Sequence, residues 1–137
     1  MINTMADIVE AWYTKLHGSI SVPVFIESAP DNQTGSYVLL RSESEADTPN
    51  KGYFGKNAVV IVDIITEFQN MVNTQSVDTI DGQINALVLP SPRSHGLTVS
   101  GFQIAILQAE NSTYLSEDDG TRKIYRKVTR YNHLVNE

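Results

Sequence analysis

The sequence has no cysteine among its 137 residues. That absence excludes disulfide bonds, thiolate metal sites and cysteine nucleophiles together. The sequence also lacks any apolar run near the roughly 18 residues that cross a bilayer. Asp7 and Glu10 stand where a secretory signal would need an uninterrupted apolar stretch. We therefore predict a protein that is made in the cytoplasm and has no membrane partner.

Positive charge is scarce as well, with 10 lysines and arginines against 16 acidic residues and a net charge of -6. This balance argues against a DNA-binding protein that works by neutralising phosphates. The first 121 residues hold fifteen acidic and five basic side chains, whereas residues 122–137 hold one acidic and five basic. The C-terminal end is therefore basic, and the rest of the chain is acidic.

Patterns that carry catalysis or metal binding are missing too. His17, His95 and His133 lie in separate segments without the i, i+4 spacing of a helical metal pair, so we expect structural or surface roles for them. The sequence has no Gly-x-Ser-x-Gly elbow and no glycine-rich phosphate loop, and the acidic run at 117–120 lacks the alternating carboxylates of a calcium loop. It therefore predicts no catalytic, metal or cofactor site, and a protein that is not an enzyme.

What the sequence does contain is typical of a soluble globular domain, with 41% hydrophobic and 19% charged residues. Residues 58–68 predict a central β-strand, since the first half of this segment is apolar on both faces. Residues 76–89 follow as an amphipathic helix that Pro90 closes. An earlier helix is predicted over residues 4–16, with Trp12 as a core anchor and Gly18 as its stop.

The remaining segments predict further strands. After Pro23, which is confined to sheet edges, a short edge strand is expected at Val24–Glu27. Four others are expected at 37–42, 97–99, 102–108 and 122–133. The order indicates an α+β fold, a mostly antiparallel β-sheet with an N-terminal helix and a central helix packed on it. Residues 1–137 are predicted to form a single α+β domain with a long loop at 43–57.

The predicted loop at 43–57 is long for a connection inside a compact domain. One interpretation is a mobile hairpin tip, and the other is an arm that becomes ordered against a partner. Tyr53 and Phe54, which stand between two glycines and just before Lys56, favour the arm. These three residues are candidate subunit–subunit contacts.

The basic final strand carries the other candidate contacts, Arg122, Lys123, Arg126, Lys127 and Arg130. One interpretation is that the cations guard an edge strand against unwanted sheet pairing. A second is that they dock on the acidic body of a neighbouring copy, a head-to-tail contact that can close a ring. A third is nucleic-acid binding with Tyr125 and Tyr131 as stacking groups, which the net charge disfavours.

The layout resembles the minor tail proteins of tailed phages known as tail terminators, tail-completion or head-tail joining proteins. The resemblance covers nearly the whole chain and rests on order. It comprises the N-terminal helix with Trp12, the strand around Val24–Ile26, a turn with Pro30, the strands at 37–40 and 59–68, the helix at 77–89, and the closing strands.

This resemblance implies a structural virion protein of the tail or neck. It would form a homo-oligomeric ring, commonly of six copies, at the head-proximal end of the tail, and would contact the tail tube protein and a neck or connector protein. DNA would pass through the lumen without specific binding, because an acidic wall repels phosphate. Two alternatives stay open: a neck or stopper protein of the same particle, and a small cytoplasmic enzyme or ligand-binding domain.

Overall fold

The computed structural model describes residues 4–31, 33, 35–48, 55–68, 75–91, 94–99, 101–118, 120 and 123–136. Within these residues the chain forms two helices and five strands. In chain order they are α1 (Thr4–Leu16), β1 (Val24–Ile26), β2 (Tyr37–Thr48), β3 (Gly55–Phe68), α2 (Gln75–Val88), β4 (Gln103–Asp118) and β5 (Lys123–Asn136).

The five strands form one sheet in the order β1-β2-β3-β5-β4. β1 pairs with β2 in parallel, and every other pairing is antiparallel. The apolar segment predicted as a central strand is β3, which lies between β2 and β5. The chain therefore has the predicted α+β fold.

Both helices pack on the same face of this sheet. Ile8, Trp12 and Leu16 of α1 are fully buried, as are Val77, Ile84 and Val88 of α2, and they join one core with Val60, Val62 and Ile64 of β3. The i, i+4 spacing of the helical residues and the period of two in the strand place these side chains between the layers. Trp12, with 0% exposure, is the core anchor that the sequence predicts, and Gly18 ends α1 with a φ of 76°.

We call the opposite side of the sheet the open face. On β3 it is formed by the residues that alternate with the core positions, namely Val59, Ile61, Asp63, Ile65 and Glu67. Both described helices lie on the other side, so neither of them covers it. Val59 and Ile65 are nonetheless only 7% and 6% exposed. Long side chains of the neighbouring strands must therefore cover this face.

The prediction of a loop over residues 43–57 is wrong at both ends. Glu43–Thr48 continue β2, with a register shift between Ser42 and Ser44, and Gly55–Asn57 begin β3. The polar segment from Glu43 has low strand propensity by itself, but the long partner strand β3 supplies hydrogen bonds along its length. The intervening residues 49–54 lie outside the described part of the chain.

The prediction of a strand at 97–99 is also wrong. The Gly96 amide donates to the Val88 carbonyl at 2.9 Å, so the chain follows the end of α2 instead of entering the sheet. The approach is so close that a Cβ at Gly96 would stand 2.0 Å from the Leu87 carbonyl oxygen. The strand predicted at 102–108 extends to Asp118, which lengthens the last hairpin.

The basic final strand is not at an edge. β5 pairs with β3 on one side and with β4 on the other, so its cations do not guard an edge of the sheet. That interpretation is wrong, because β4 takes the outer position that the sequence pattern assigned to β5.

Candidate assembly surface

Asp63 lies at the centre of the open face and is completely buried. Arg41 of β2 and Arg126 of β5 both contact its carboxylate, one from each side. The register explains this, since Arg41 is paired with Ile61 and Arg126 with Ile65, which are the positions two before and two after Asp63. Such diagonal neighbours lie within reach of long side chains. One carboxylate therefore connects three strands.

Arg126 also reaches the outer strand. Its Nε donates to Asp63 at 3.2 Å, and its Nη1 lies 3.4 Å from Glu117 of β4. The hydrogen bond with Asp63 raises the pKa of Arg126, although partial burial opposes the charge. Arg126 is thus a permanent cation held between two carboxylates.

A second set of ion pairs crosses the same face. Arg130 of β5 donates to Glu43 of β2 at 2.7 Å and lies 3.6 Å from Glu110 of β4. Glu43 is in the segment that the sequence assigned to a loop, and its place in β2 brings it within reach. The contacts of Arg126 and Arg130 together span four adjacent strands, and the stems of the arginines cover the apolar residues beneath them.

The helix side of the sheet has a separate polar cluster. Lys127 of β5 donates to Asp81 of α2 at 2.8 Å and lies 5.3 Å from the centre of the Tyr114 ring. The Tyr114 hydroxyl donates to Asp78 at 3.2 Å. Burial opposes the charge on Lys127, but its partners outweigh that cost and raise the pKa of Lys127. This cluster ties α2 to the hairpin of β4 and β5.

His133 is buried where α1 meets the sheet. Trp12 Nε1 donates to His133 Nε2 at 2.8 Å, so the ring proton is on Nδ1, which donates to the Ala58 carbonyl at 2.9 Å. Burial lowers the pKa of His133 to about 4, because the charged form is poorly solvated there. The neutral ring satisfies both of its nitrogens and serves the core. The other two histidines also have local contacts, since His17 stacks on Tyr13 and His95 Nε2 lies 2.7 Å from the Ile104 carbonyl.

The predicted interface residues separate into three groups. Arg126 and Arg130 lie on the open face, whereas Lys127 points to α2, and all three are paired with carboxylates of their own chain. Lys56 is half-buried near the start of β3, and Lys123 begins β5 opposite Phe68 and Asp118. Tyr53, Phe54 and Arg122 lie outside the described residues.

Sequence reasoning did not single out the carboxylates that engage these cations. Asp63 gave the clearest signal, because a charged residue interrupts an apolar strand and must find a partner if that strand is central. Glu43 and Glu110 gave none. They meet Arg130 only because strands distant in sequence are neighbours in the sheet.

The described residues hold no group of three or more His, Asp or Glu side chains arranged to bind a metal ion. A cavity of about 540 Å³ lies between α1 and the segment after α2, and is lined by residues such as Glu10, Lys15 and Val99. No helix among them is long and apolar enough to cross a membrane. The notable surfaces are the open face and the outer side of β4.

Comparisons with known proteins bear on the fold. No protein-family model matches the sequence, and a search of curated proteins finds no match. A search of solved structures matches a chain from a structure described as the virion of a native gene transfer agent (GTA) particle. The TM-score is 0.69 at 16% sequence identity, over 97% of this chain and 99% of that chain. This chain therefore shares its fold with that chain over 97% of its length.

Proposed function

We propose that the chain is a non-enzymatic structural protein of a phage-like virion, acting as a tail terminator or tail-completion protein. In this role it forms a ring, commonly of six copies, at the head-proximal end of the tail and joins the tail to the head. The observation that carries the proposal is the fold likeness to a virion chain over nearly the full length of both chains.

The architecture supports a ring because it offers unlike surfaces. A head-to-tail ring needs two different patches on each copy, so that the front of one meets the back of the next. Here the helices cover one side of the sheet, while the open face and the outer side of β4 carry different chemistry. The net charge of -6 suits a lumen through which DNA passes without binding.

Within the proposed ring, the end of the β2–β3 hairpin is the stronger candidate for the contact between copies. The predicted contacts on β5 are weaker candidates, because Arg126, Lys127 and Arg130 are already paired with carboxylates of their own chain. Tyr53, Phe54 and Lys56 stand at the hairpin end in the sequence. Aromatic residues are enriched at interface cores, which makes the first two the anchors of the contact.

The test replaces these anchors in the purified protein. We expect wild type to form rings in negative-stain images, with a matching mass in light scattering. The variant with Tyr53→Ser and Phe54→Ser should give monomers that melt, at low protein concentration, at the same temperature as wild type. Tyr13→Ser, which removes an aromatic side chain from α1, is the control, and we expect this variant to assemble as wild type does. Wild-type protein that is monomeric at every concentration, and that does not bind tail tubes, would contradict the proposal.

A further inference from the structure

The two edges of the sheet are built differently. β1 has three residues, follows Pro23 and ends at Ile26, and the next residue, Glu27, turns the chain away with a φ of 67°. β4 has sixteen residues and contains no proline, lysine or arginine. Proteins commonly block edge strands by shortness, proline, lysine or bulges, because an open edge pairs with other chains. The β1 edge is blocked in this way.

The second half of β4 lacks even a bulge. The two register shifts lie between Ile104 and Ile106 and between Ala109 and Asn111. From Asn111 to Asp118 every residue is matched one to one with β5, and every residue is exposed. Among the described residues no strand pairs with the outer side of this segment. Its outward amides and carbonyls thus form a regular row that can accept another strand.

The surroundings of this edge are acidic. Three carboxylates, Asp78, Glu110 and Glu117, lie at or beside β4, and each of them shares its cation with a second carboxylate. Asp118 adds a further negative charge at the end of the strand. The side chains of Asp78 and Glu117 are 52% and 57% exposed, so they remain accessible to a partner.

This charge decides between two kinds of added strand. A second β4 would bring the same carboxylates against one another, and like charges across a strand pair are destabilising. An extended segment with lysine or arginine would instead supply cations to these carboxylates, which share the cations of their own chain. Tyr114 and Leu115, 45% and 42% exposed, offer it apolar contact on the two sides of the sheet.

We propose that the outer edge of β4, over Asn111–Asp118, binds an extended basic segment of a partner protein as a sixth strand of the sheet. Main-chain hydrogen bonds supply the attachment, and the carboxylates beside the edge select for basic side chains. This inference concerns the edge alone and does not depend on the ring proposed above.

The experiment measures amide hydrogen exchange of the full chain by NMR with two probe peptides. One is a capped octapeptide that alternates lysine and threonine, and the other alternates glutamate and threonine. We expect the lysine peptide to slow exchange of the outward amides of Asn111–Asp118 by about tenfold or more, since pairing protects them. The glutamate peptide should leave these rates unchanged, and added salt should weaken the effect.

Two variants locate the binding. Leu115→Lys places a cation on the β4 edge, and we expect it to abolish the protection. Ile26→Lys places the same charge on the β1 edge at a residue of equal exposure, 42%, and should bind the peptide as wild type does. Absence of protection with the lysine peptide would overturn the proposal, as would equal protection by both peptides. So would protection of β4 that rises with protein concentration alone, because a second copy would then occupy the edge.

Discussion

His133 shows how one buried side chain makes stability depend on pH. In the folded chain burial keeps the ring neutral and lowers the pKa of His133 to about 4 from the ordinary 6.5, and Trp12 Nε1 donates to the unprotonated Nε2. As the pH falls through 6.5 the unfolded chain takes up a proton and the folded chain does not. The stability due to this residue is therefore present above 6.5 and is lost between 6.5 and 4.

We expect this group to contribute about 3 kcal/mol to the loss of unfolding free energy between pH 6.5 and 4. The measurement is urea unfolding across that range for wild type and His133→Gln. The amide of glutamine can accept from Trp12 and donate to the Ala58 carbonyl, as His133 does, but it does not titrate. The variant should therefore show a shallower pH dependence. Equal slopes for the two proteins would contradict the assigned role.

Among the elements, Asp63 fixes the relative positions of β2, β3 and β5 through its two arginines. In Asp63→Asn the two cations lose the buried carboxylate that they share, and only Arg126 keeps a second partner, Glu117, so we expect a loss of about 3 kcal/mol. This is the lower end of the range for a broken buried pair, because Arg41 is 37% exposed and partly solvated. Chemical denaturation measures the loss.

The matched variant removes all three charges. Asp63→Leu combined with Arg41→Met and Arg126→Met keeps the apolar stems and leaves no buried charge unpaired, since Glu117, which loses Arg126, is 57% exposed. The triple variant should therefore recover most of the lost stability. If the triple variant were as unstable as Asp63→Asn, the cost would come from altered packing instead of the unpaired cations.

Periodicity alone predicted most elements, and its failures have a physical pattern. α1, α2 and β3 were found because each buries a regular set of apolar residues. The ends of β2 and β4 were missed because Glu43–Thr48 and most of Glu110–Asp118 are polar, and only their partner strands hold them extended. The charge network was missed for the same reason, since Arg130 and Glu43 are 87 positions apart in the sequence. The period of the apolar residues indicates which side chains are buried. The strand ends and the ion pairs depend instead on neighbouring strands that are distant in the sequence.

For the whole molecule, the uncovered surfaces connect stability with assembly. A ring that binds only the folded chain stabilises it by mass action, so its melting temperature rises with protein concentration. We expect this rise in calorimetry for wild type, and a constant melting temperature for the variant with Tyr53→Ser and Phe54→Ser. At low concentration the two proteins should have the same melting temperature, because the core and the arginines of the open face belong to each single chain. A wild-type melting temperature independent of concentration, in a range where rings are seen, would mean that assembly adds no stability to the fold.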